Sequence, residues 1–132
     1  MPADEIITGT CWEDGGIKLM ARVLGAAGVK IVQADVTSIR LWSYNDSTAA
    51  PNTEIVATGE DLAVGTVIFD TLQTDATWSL DTTGYNFGTT VVPANSILQT
   101  AGQYRFEVIL TMASGAPIPI VYSVQAAALR SS

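Results

Sequence analysis

Carboxylates are the only side chains in this sequence that offer acid-base chemistry in quantity. The chain of 132 residues holds 13 Asp and Glu, one cysteine and no histidine. The candidate groups of acids are Glu13-Asp14, Glu60-Asp61 and the trio Asp70, Asp75 and Asp81. Glycoside hydrolysis needs two carboxyl groups about 5 to 9.5 Å apart across a cleft, whereas adjacent strand residues point to opposite faces. Ser-His-Asp and Cys-His catalysis both need a histidine. We therefore expect a protein without enzyme activity.

Metal and cofactor sites are not predicted either. Histidine-ligated zinc is excluded by composition. The acidic segment 70–81 lacks the alternating aspartates of a dedicated calcium loop, which favours solvated turn residues over a calcium cage. Cys11 has no basic residue near it in sequence, so we expect a small buried apolar side chain rather than a nucleophile. Residues 84–88 (Gly-Tyr-Asn-Phe-Gly) match no phosphate loop, and their glycines predict a tight connection anchored by two aromatic rings.

The charge content argues against a nucleic-acid partner and is compatible with contact between protein subunits. Six Lys and Arg against 13 Asp and Glu give a net charge of −7, without the clustered basic residues that nucleic acid requires. Charged residues make up 14% of the chain, compared with about 25% in an average soluble domain. A surface poor in charge can be buried against other subunits without stranding ions. The alternative is that exposed strands here simply favour threonine.

The chain length predicts one domain, residues 1–132, because it is close to the usual domain size. Its first residues, Met-Pro-Ala-Asp-Glu, do not form the charged and apolar regions of a signal peptide. No apolar run approaches the roughly 20 residues of a membrane-spanning helix. These features predict synthesis in a cytoplasm and no membrane partner.

Apolar residues recur with a period of two, which is the pattern of half-buried strands. It is clearest in residues 104–112, where Tyr104, Phe106 and Val108 alternate with polar positions, and it returns in residues 118–124. The intervening Ser-Gly-Ala-Pro at 114–117 is turn chemistry. The two segments therefore predict an antiparallel hairpin.

The remaining segments predict an all-β fold, a single sandwich (immunoglobulin-like or jelly-roll-like) of about seven to eight antiparallel strands. Further strands are expected at 6–12, 17–24, 36–44, 53–58 and 67–72, with weaker signals at 77–80 and 89–92. Short helices are possible alternatives near 95–100 and after Glu60-Asp61. Residues 126–132 are expected to be a trailing end, with a short apolar stretch that could contact a neighbouring subunit.

Exposed aromatic residues offer a possible binding surface. In the strand at 36–44, Ile39 and Leu41 alternate with Arg40, Trp42 and Tyr44. If the odd positions fill the core, the even ones form a flat amphipathic patch suited to a protein or a sugar. In the other interpretation, which the sequence slightly favours, Trp42 lies in the core and Arg40 caps an edge.

The first residues offer a second candidate contact. Ile6 and Ile7 follow an acidic start and could belong to an arm, residues 1–7, that adds a strand to a neighbouring subunit. An ordinary first strand is the favoured interpretation.

Several longer motifs resemble one group of proteins. These motifs are Val67-Ile68-Phe69-Asp70-Thr71-Leu72-Gln73-Thr74-Asp75-Ala76-Thr77-Trp78, Asp81-Thr82-Thr83-Gly84-Tyr85-Asn86-Phe87, Val92-Pro93-Ala94 and Gly102-Gln103-Tyr104-Arg105-Phe106-Glu107-Val108, with Val32-Gln33-Ala34-Asp35-Val36-Thr37-Ser38-Ile39 upstream. They are similar to small proteins encoded in the structural gene regions of tailed bacteriophages and prophages. The resemblance covers most of the chain from about residue 32 and implies a virion context. It implies no activity and no site residues.

Together, these features predict a structural virion protein, with a capsid decoration or cement subunit preferred. Its partners would be the major capsid protein or other virion subunits, and it would form a homo-oligomer on the particle. Two alternatives stay open. One is a neck, tail or baseplate component, and the other is a carbohydrate-binding host-adsorption module that uses Trp42, Tyr44 and Tyr85.

Overall fold

Two sheets account for most of the structure. The computed structural model describes residues 6–25, 28–47, 54–55, 59–75, 78, 82–94 and 97–128. Within them the strands are β1 (Ile6–Trp12), β2 (Ile17–Ala21), β3 (Val36–Asn45), β4 (Glu60–Leu62), β5 (Ile68–Gln73), β6 (Tyr85–Val91), β7 (Gly102–Met112) and β8 (Ile118–Ala127). A 3-10 turn (Gln33–Asp35) precedes β3, and a four-residue helix, α1 (Val64–Val67), precedes β5. The predicted all-β sandwich is confirmed.

The strand order explains how the two sheets are connected. The larger sheet has the order β1-β8-β7-β3-β4 and the smaller has the order β2-β6-β5. β7 and β8 form the predicted antiparallel hairpin, with Leu110 opposite Ile118. β1, however, pairs with β8 in parallel, with Ile7 opposite Tyr122. Because β1 continues into β2 in the other sheet, no hairpin fixes its direction, and the all-antiparallel expectation is wrong for this pair.

The core lies between the inner faces of the two sheets. β7 contributes alternate residues from Tyr104 to Leu110, all fully buried, and β8 contributes Ile120, Tyr122 and Val124. The smaller sheet covers them with residues that include Leu19, Ile68 and Phe87. Each fully buried side chain of this size contributes about 1.5 to 3 kcal/mol relative to exposure. The period-two pattern of the sequence therefore marks the residues that hold the sheets together.

Residues 84–88 lie mostly in a strand, and the connection predicted there is wrong. The predicted connection is instead most of β6, the central strand of the smaller sheet, with Tyr85, Asn86 and Phe87 all buried. Only Gly84 has the backbone that favours glycine, with φ of +103°. A Cβ on Gly88 would stand 3.2 Å from Cε2 of Tyr85. Gly88 therefore permits close packing rather than a turn, and the two roles of glycine look alike in a sequence.

Asn86 joins β6 to the segment that follows β2. Its side-chain oxygen accepts a hydrogen bond from the Val23 N–H at 2.7 Å. Its side-chain nitrogen donates to the carbonyls of Val23 and Ile31, at 3.0 and 3.1 Å. Asn86 is fully buried, so it replaces the water that these backbone groups lose on folding.

Several predicted boundaries shift. β2 ends at Ala21 rather than 24, and β4 and α1 together occupy residues that follow the predicted strand at 53–58. α1 agrees with the short helix considered after Glu60-Asp61. The described part of 95–100, residues 97–100, is not helical. β8 continues to Ala127 and buries Ala126, so the trailing end begins later than predicted.

Parts of two predicted strands cannot be compared with the structure. Of 53–58, only Glu54 and Ile55 belong to the described residues, and Glu54 forms an isolated bridge with Tyr44. Of 77–80, only Trp78 does. The rest of both segments lies outside the described residues, as do residues 1–5 of the predicted arm and residues 129–132.

Candidate functional site

The outer face of the larger sheet brings three of the predicted site residues together. On β3, Ile39 and Leu41 are buried, whereas Arg40, Trp42 and Tyr44 are only half-buried on the opposite face. The interpretation that placed Trp42 in the core is therefore wrong. The smaller sheet covers the odd positions of β3, and the pleat then sends the even positions outward. We refer to Arg40, Trp42 and Tyr44, with Arg105 and Glu107 of β7, as the outer patch.

Backbone and neighbouring side chains support the indole of Trp42. Trp42 lies opposite Glu107 in the register of β3 and β7. A Cβ at Gly59 would stand 3.2 Å from Cδ2 of Trp42 and 3.1 Å from Cγ of Arg40. The Gly59 backbone, with φ of +67°, thus packs against both side chains. A side chain at position 59 would therefore displace the indole or the Arg40 side chain.

Arg105 organises the other half of the outer patch. Its guanidinium donates to Asp46 Oδ1 at 2.9 Å and to Glu107 Oε2 at 3.0 Å. The same group lies over the Tyr44 ring, with Cζ 4.5 Å from the ring centroid. Partial burial, followed by the charges of Glu107 and Glu54, raises the pKa of the Tyr44 phenol, while Arg105 acts in the opposite direction. Tyr44 therefore stays neutral at physiological pH.

Arg40 forms an ion pair at the sheet edge. Its Nη2 lies 2.7 Å from Oδ1 of Asp61 on β4, and both side chains are substantially exposed. Such a pair adds little stability. It does neutralise the charge beside Trp42, so the outer patch presents aromatic and apolar area between compensated charges.

Ile6 and Ile7, the other two predicted site residues, lie on β1 and are not part of the outer patch. Both are in β1, which is the ordinary first strand that the sequence favoured over an arm. Ile7 is partly buried and packs against the core. Ile6 lies in register with Val121.

A second group of interacting side chains lies on the smaller sheet and was missed in the sequence. Lys18 Nζ donates to the Tyr85 hydroxyl at 3.0 Å, and this hydroxyl donates to Asp75 Oδ2 at 2.6 Å. The Trp78 ring lies 5.4 Å from the Tyr85 ring, centroid to centroid. Because the partners come from β2, β6 and the segment after β5, no local motif could reveal them.

The remaining side chains that the structure describes bear on two questions, metal binding and the reactivity of Cys11. Among the described residues, no three or more His, Cys, Asp and Glu side chains are placed to hold a metal ion. Cys11 is half-buried against the core, and burial raises the pKa of its thiol, which disfavours the reactive thiolate. No helix in the described part of the chain has the length and apolar character needed to cross a membrane.

Comparison with known proteins adds no family. No family model matches the chain, and no curated protein matches it. Solved structures that match include a family 123 glycoside hydrolase from Clostridium perfringens, which acts in glycolipid glycan hydrolysis. The match has a TM-score of 0.41 and 9% identity, and it covers 94% of this chain but only 23% of the hydrolase. Similarity at this level carries no inference about activity.

Proposed function

We propose that this protein is a structural virion protein of a tailed bacteriophage, a capsid decoration or cement subunit that binds the major capsid protein through the outer patch. The observation that carries the proposal is the placement of Trp42, Tyr44 and Arg40 on one exposed sheet face. Trp, Tyr and Arg are the residues that most often dominate the energy of protein interfaces. The low charged fraction and the resemblance to proteins of phage structural regions support the same function.

The electrostatics of the outer patch suit a protein partner. Arg40 is paired with Asp61, and Arg105 with Asp46 and Glu107. Burying charges that are already paired costs less free energy than burying unpaired charges. The partner would therefore bury the aromatic area without a large desolvation penalty. A decoration subunit stabilises a capsid only if it binds the assembled lattice better than the separate subunits.

The geometry argues against the carbohydrate-binding alternative at this surface. Stacking of a sugar ring needs a bare aromatic face, but Arg105 already lies over the Tyr44 ring. Tyr85, the third residue of that hypothesis, is 1% exposed. We therefore prefer a protein partner.

The test is the binding of purified protein to phage heads that lack it. Wild-type protein should bind the heads, measured by co-sedimentation, and restore their resistance to heat. Trp42→Ala should weaken binding by tenfold or more, about the effect of truncating a central interface residue, while its circular dichroism spectrum shows that the fold is retained. Trp12→Ala is the matched control, because Trp12 is 60% exposed and its strand β1 lies three positions from β3 in the larger sheet.

Two results would contradict the proposal. The first is that heads lacking the protein are as robust as complete heads. The second is equal binding by wild type and Trp42→Ala. The number of copies per particle separates the locations within a virion: a decoration subunit follows the capsid lattice, whereas a neck or baseplate ring holds roughly six or twelve copies. Cross-linking between copies on the particle tests whether the protein forms a homo-oligomer there.

A further inference from the structure

Four strand edges border the two sheets in the described part of the chain. They belong to β1 and β4 in the larger sheet and to β2 and β5 in the smaller sheet. An open edge offers unpaired main-chain groups to a strand of another molecule, and proteins usually prevent such pairing with short strands, charged side chains or a covering group. β4 has three residues, of which Glu60 and Asp61 are charged, and β2 has five residues that include Lys18. Both of these edges are therefore short and charged.

The β5 edge is covered by side chains from the segment before β3. Gln33 Nε2 donates to the Ile68 carbonyl at 2.9 Å, and Lys30 Nζ donates to the Asp70 carbonyl. The Gln33 N–H also donates to Asp70 Oδ1 at 2.7 Å. These bonds occupy acceptors that an added strand would need.

β1 has none of these protections. Its seven residues, Ile-Ile-Thr-Gly-Thr-Cys-Trp, include no charged residue and no proline. Thr8, Thr10 and Trp12 are exposed at alternate positions, which share one face of the strand. Trp12 is also one of three large apolar residues that are exposed in the described part of the chain. β1 is therefore the long, uncharged edge of the sandwich.

The main-chain direction of β1 shows which of its groups face outward. The N–H of Glu13, directly after the strand, donates to the Ala127 carbonyl at the end of β8, at 2.8 Å. Main-chain groups alternate in direction along a strand, so the odd-numbered residues of β1 bond to β8. The N–H and C=O groups of Thr8 and Thr10 therefore point away from β8, toward the open edge.

We propose that this edge binds a second copy of the same chain, so that the two β1 strands pair antiparallel with Thr8 of one copy opposite Thr10 of the other. β1 is self-complementary in this register, because its Thr-Gly-Thr centre pairs with itself and position 6, an isoleucine, falls opposite Trp12. Threonine pairs and pairs of an aromatic with a β-branched residue are favourable across strands. A two-fold axis at Gly9 would relate the copies, and two-fold symmetry is the commonest in protein dimers.

Charge is compatible with this contact. Each copy has a net charge of −7, so two copies repel at long range, but the uncharged β1 brings no like charges together where the chains meet. Added salt should therefore tighten the dimer. The β1 edge is separate from the outer patch, so the dimer does not depend on the function proposed above. Trp12→Ala, which should weaken this dimer, keeps the outer patch and its binding to heads.

The test is sedimentation velocity of the full chain over a range of concentrations. Wild type should dimerise, and Thr10→Pro should weaken dimerisation by tenfold or more, because proline removes one outward N–H donor from each copy. The fold should be retained, as checked by circular dichroism, since this N–H does not bond to β8. Trp42→Ala is the matched control, because it leaves β1 unchanged and should dimerise like the wild type.

Two double variants give a test without proline. Thr8→Lys/Thr10→Lys places like charges opposite each other in the dimer, whereas Thr8→Lys/Thr10→Glu places opposite charges there. The second should dimerise about tenfold more tightly than the first, since two cross-strand pairs change in each dimer. Net charge alone predicts the reverse order, because two added lysines reduce the negative charge of each copy.

Disulfides test the register. In a Cys11→Ser background, a mixture of Thr8→Cys and Thr10→Cys proteins should form a cross-linked dimer on oxidation. Directly opposite, hydrogen-bonded residues have Cα atoms about 5.5 Å apart, which a disulfide can span. Either protein alone should not cross-link, because diagonal positions are about 7 to 8 Å apart.

Several results would overturn the proposal. One is a wild type that stays monomeric at millimolar concentration. Another is a dimer that Thr10→Pro leaves unchanged, or equal dimerisation of the two double variants, since either would place the contact on another surface. Cross-linking of the Thr8→Cys protein with itself, but not with the Thr10→Cys protein, would contradict the pairing of Thr8 with Thr10.

Discussion

At the scale of single residues, the buried side-chain polar atoms of the described residues have hydrogen-bond partners, with one exception. A buried polar atom needs a partner to replace water. Asn86 meets this rule with three hydrogen bonds to backbone groups, whereas the Tyr122 hydroxyl does not meet it within the described residues. Asn86 is therefore important for stability, whereas the unpaired Tyr122 hydroxyl is a cost that the packing of its ring must offset.

Asn86→Ala should lower the free energy of unfolding by roughly 3 kcal/mol or more, because it leaves a backbone N–H and two carbonyls buried without partners. The measurement is urea unfolding followed by circular dichroism. Asn45→Ala is the control: the Asn45 side chain accepts from the Ser47 N–H at an exposed position, where water can replace the lost bond. Its loss should stay below about 1 kcal/mol. Equal losses in both variants would contradict the structural role of Asn86.

At the scale of the elements, glycines in the turns have different constraints even where their φ angles agree. Gly84 and Gly115 have φ of +103° and +93°. A Cβ on Gly84 would stand 2.4 Å from the carbonyl oxygen of Gln73, at the end of β5, whereas a Cβ on Gly115 would meet nothing within 4 Å. An L-residue would be strained at both positions, but only at Gly84 does neighbouring backbone also leave no room for a Cβ.

Gly115→Ala should therefore cost about 1 kcal/mol, the strain of the left-handed region alone. Gly84→Ala should cost roughly 3 kcal/mol or more, because the Gln73 backbone must also move and it pairs with Tyr85. Thermal unfolding of the two variants beside the wild type measures the difference. A Gly84→Ala variant as stable as Gly115→Ala would show that the β5–β6 connection relaxes without cost.

The sequence predicts the positions of strands in which apolar and polar residues alternate strongly. It does not predict features that depend on contacts between distant segments. β1, β3, β7 and β8 follow the period-two pattern and were predicted close to their observed positions. The first half of β6 was mistaken for a connection, because Gly88 permits close packing and a glycine in a sequence equally suggests a turn, whereas the weak strand signal at 89–92 matches the second half of β6. Arg40, Trp42 and Tyr44 were predicted as a surface patch only in the less favoured interpretation, because the covered face of β3 depends on the smaller sheet. The group of Lys18, Tyr85 and Asp75 joins β2, β6 and the segment after β5, and local patterns do not encode that proximity.

At the scale of the whole molecule, the first and last strands of the described chain lie side by side at one edge of the larger sheet. β1 pairs with β8 along its full length, from Ile6 opposite Val121 to Trp12 opposite Ala127. This parallel pair joins distant parts of the chain, and such contacts form at a high cost in loop entropy. Of the inner residues of the pair, Tyr122 belongs to the core and Ile7 packs against it. The stability of the fold therefore depends on this pairing between distant segments of the chain.

Alkaline pH should destabilise the whole fold through Tyr122. Its pKa is raised in the folded state by burial, while an unfolded tyrosine ionises near pH 10. Above about pH 10 the unfolded chain releases this proton and the folded chain retains it, so the folded state binds more protons and its stability falls as pH rises. The contribution is fully present below that pH and decreases by up to about 1.4 kcal/mol per pH unit above it.

The check is the urea midpoint of wild type and Tyr122→Phe from pH 8 to 11.5. The variant should be as stable as the wild type or slightly more stable at pH 8, because it removes an unpaired buried hydroxyl. It should then lose stability less steeply above pH 10. Added salt separates this effect from self-repulsion of the chain, whose net charge is −7 at pH 7: salt screens the repulsion between surface charges but leaves the burial of Tyr122 unchanged. Identical alkaline slopes in the two proteins would show that the Tyr122 hydroxyl reaches water or a partner in the folded state, and that it ionises there as freely as in the unfolded chain.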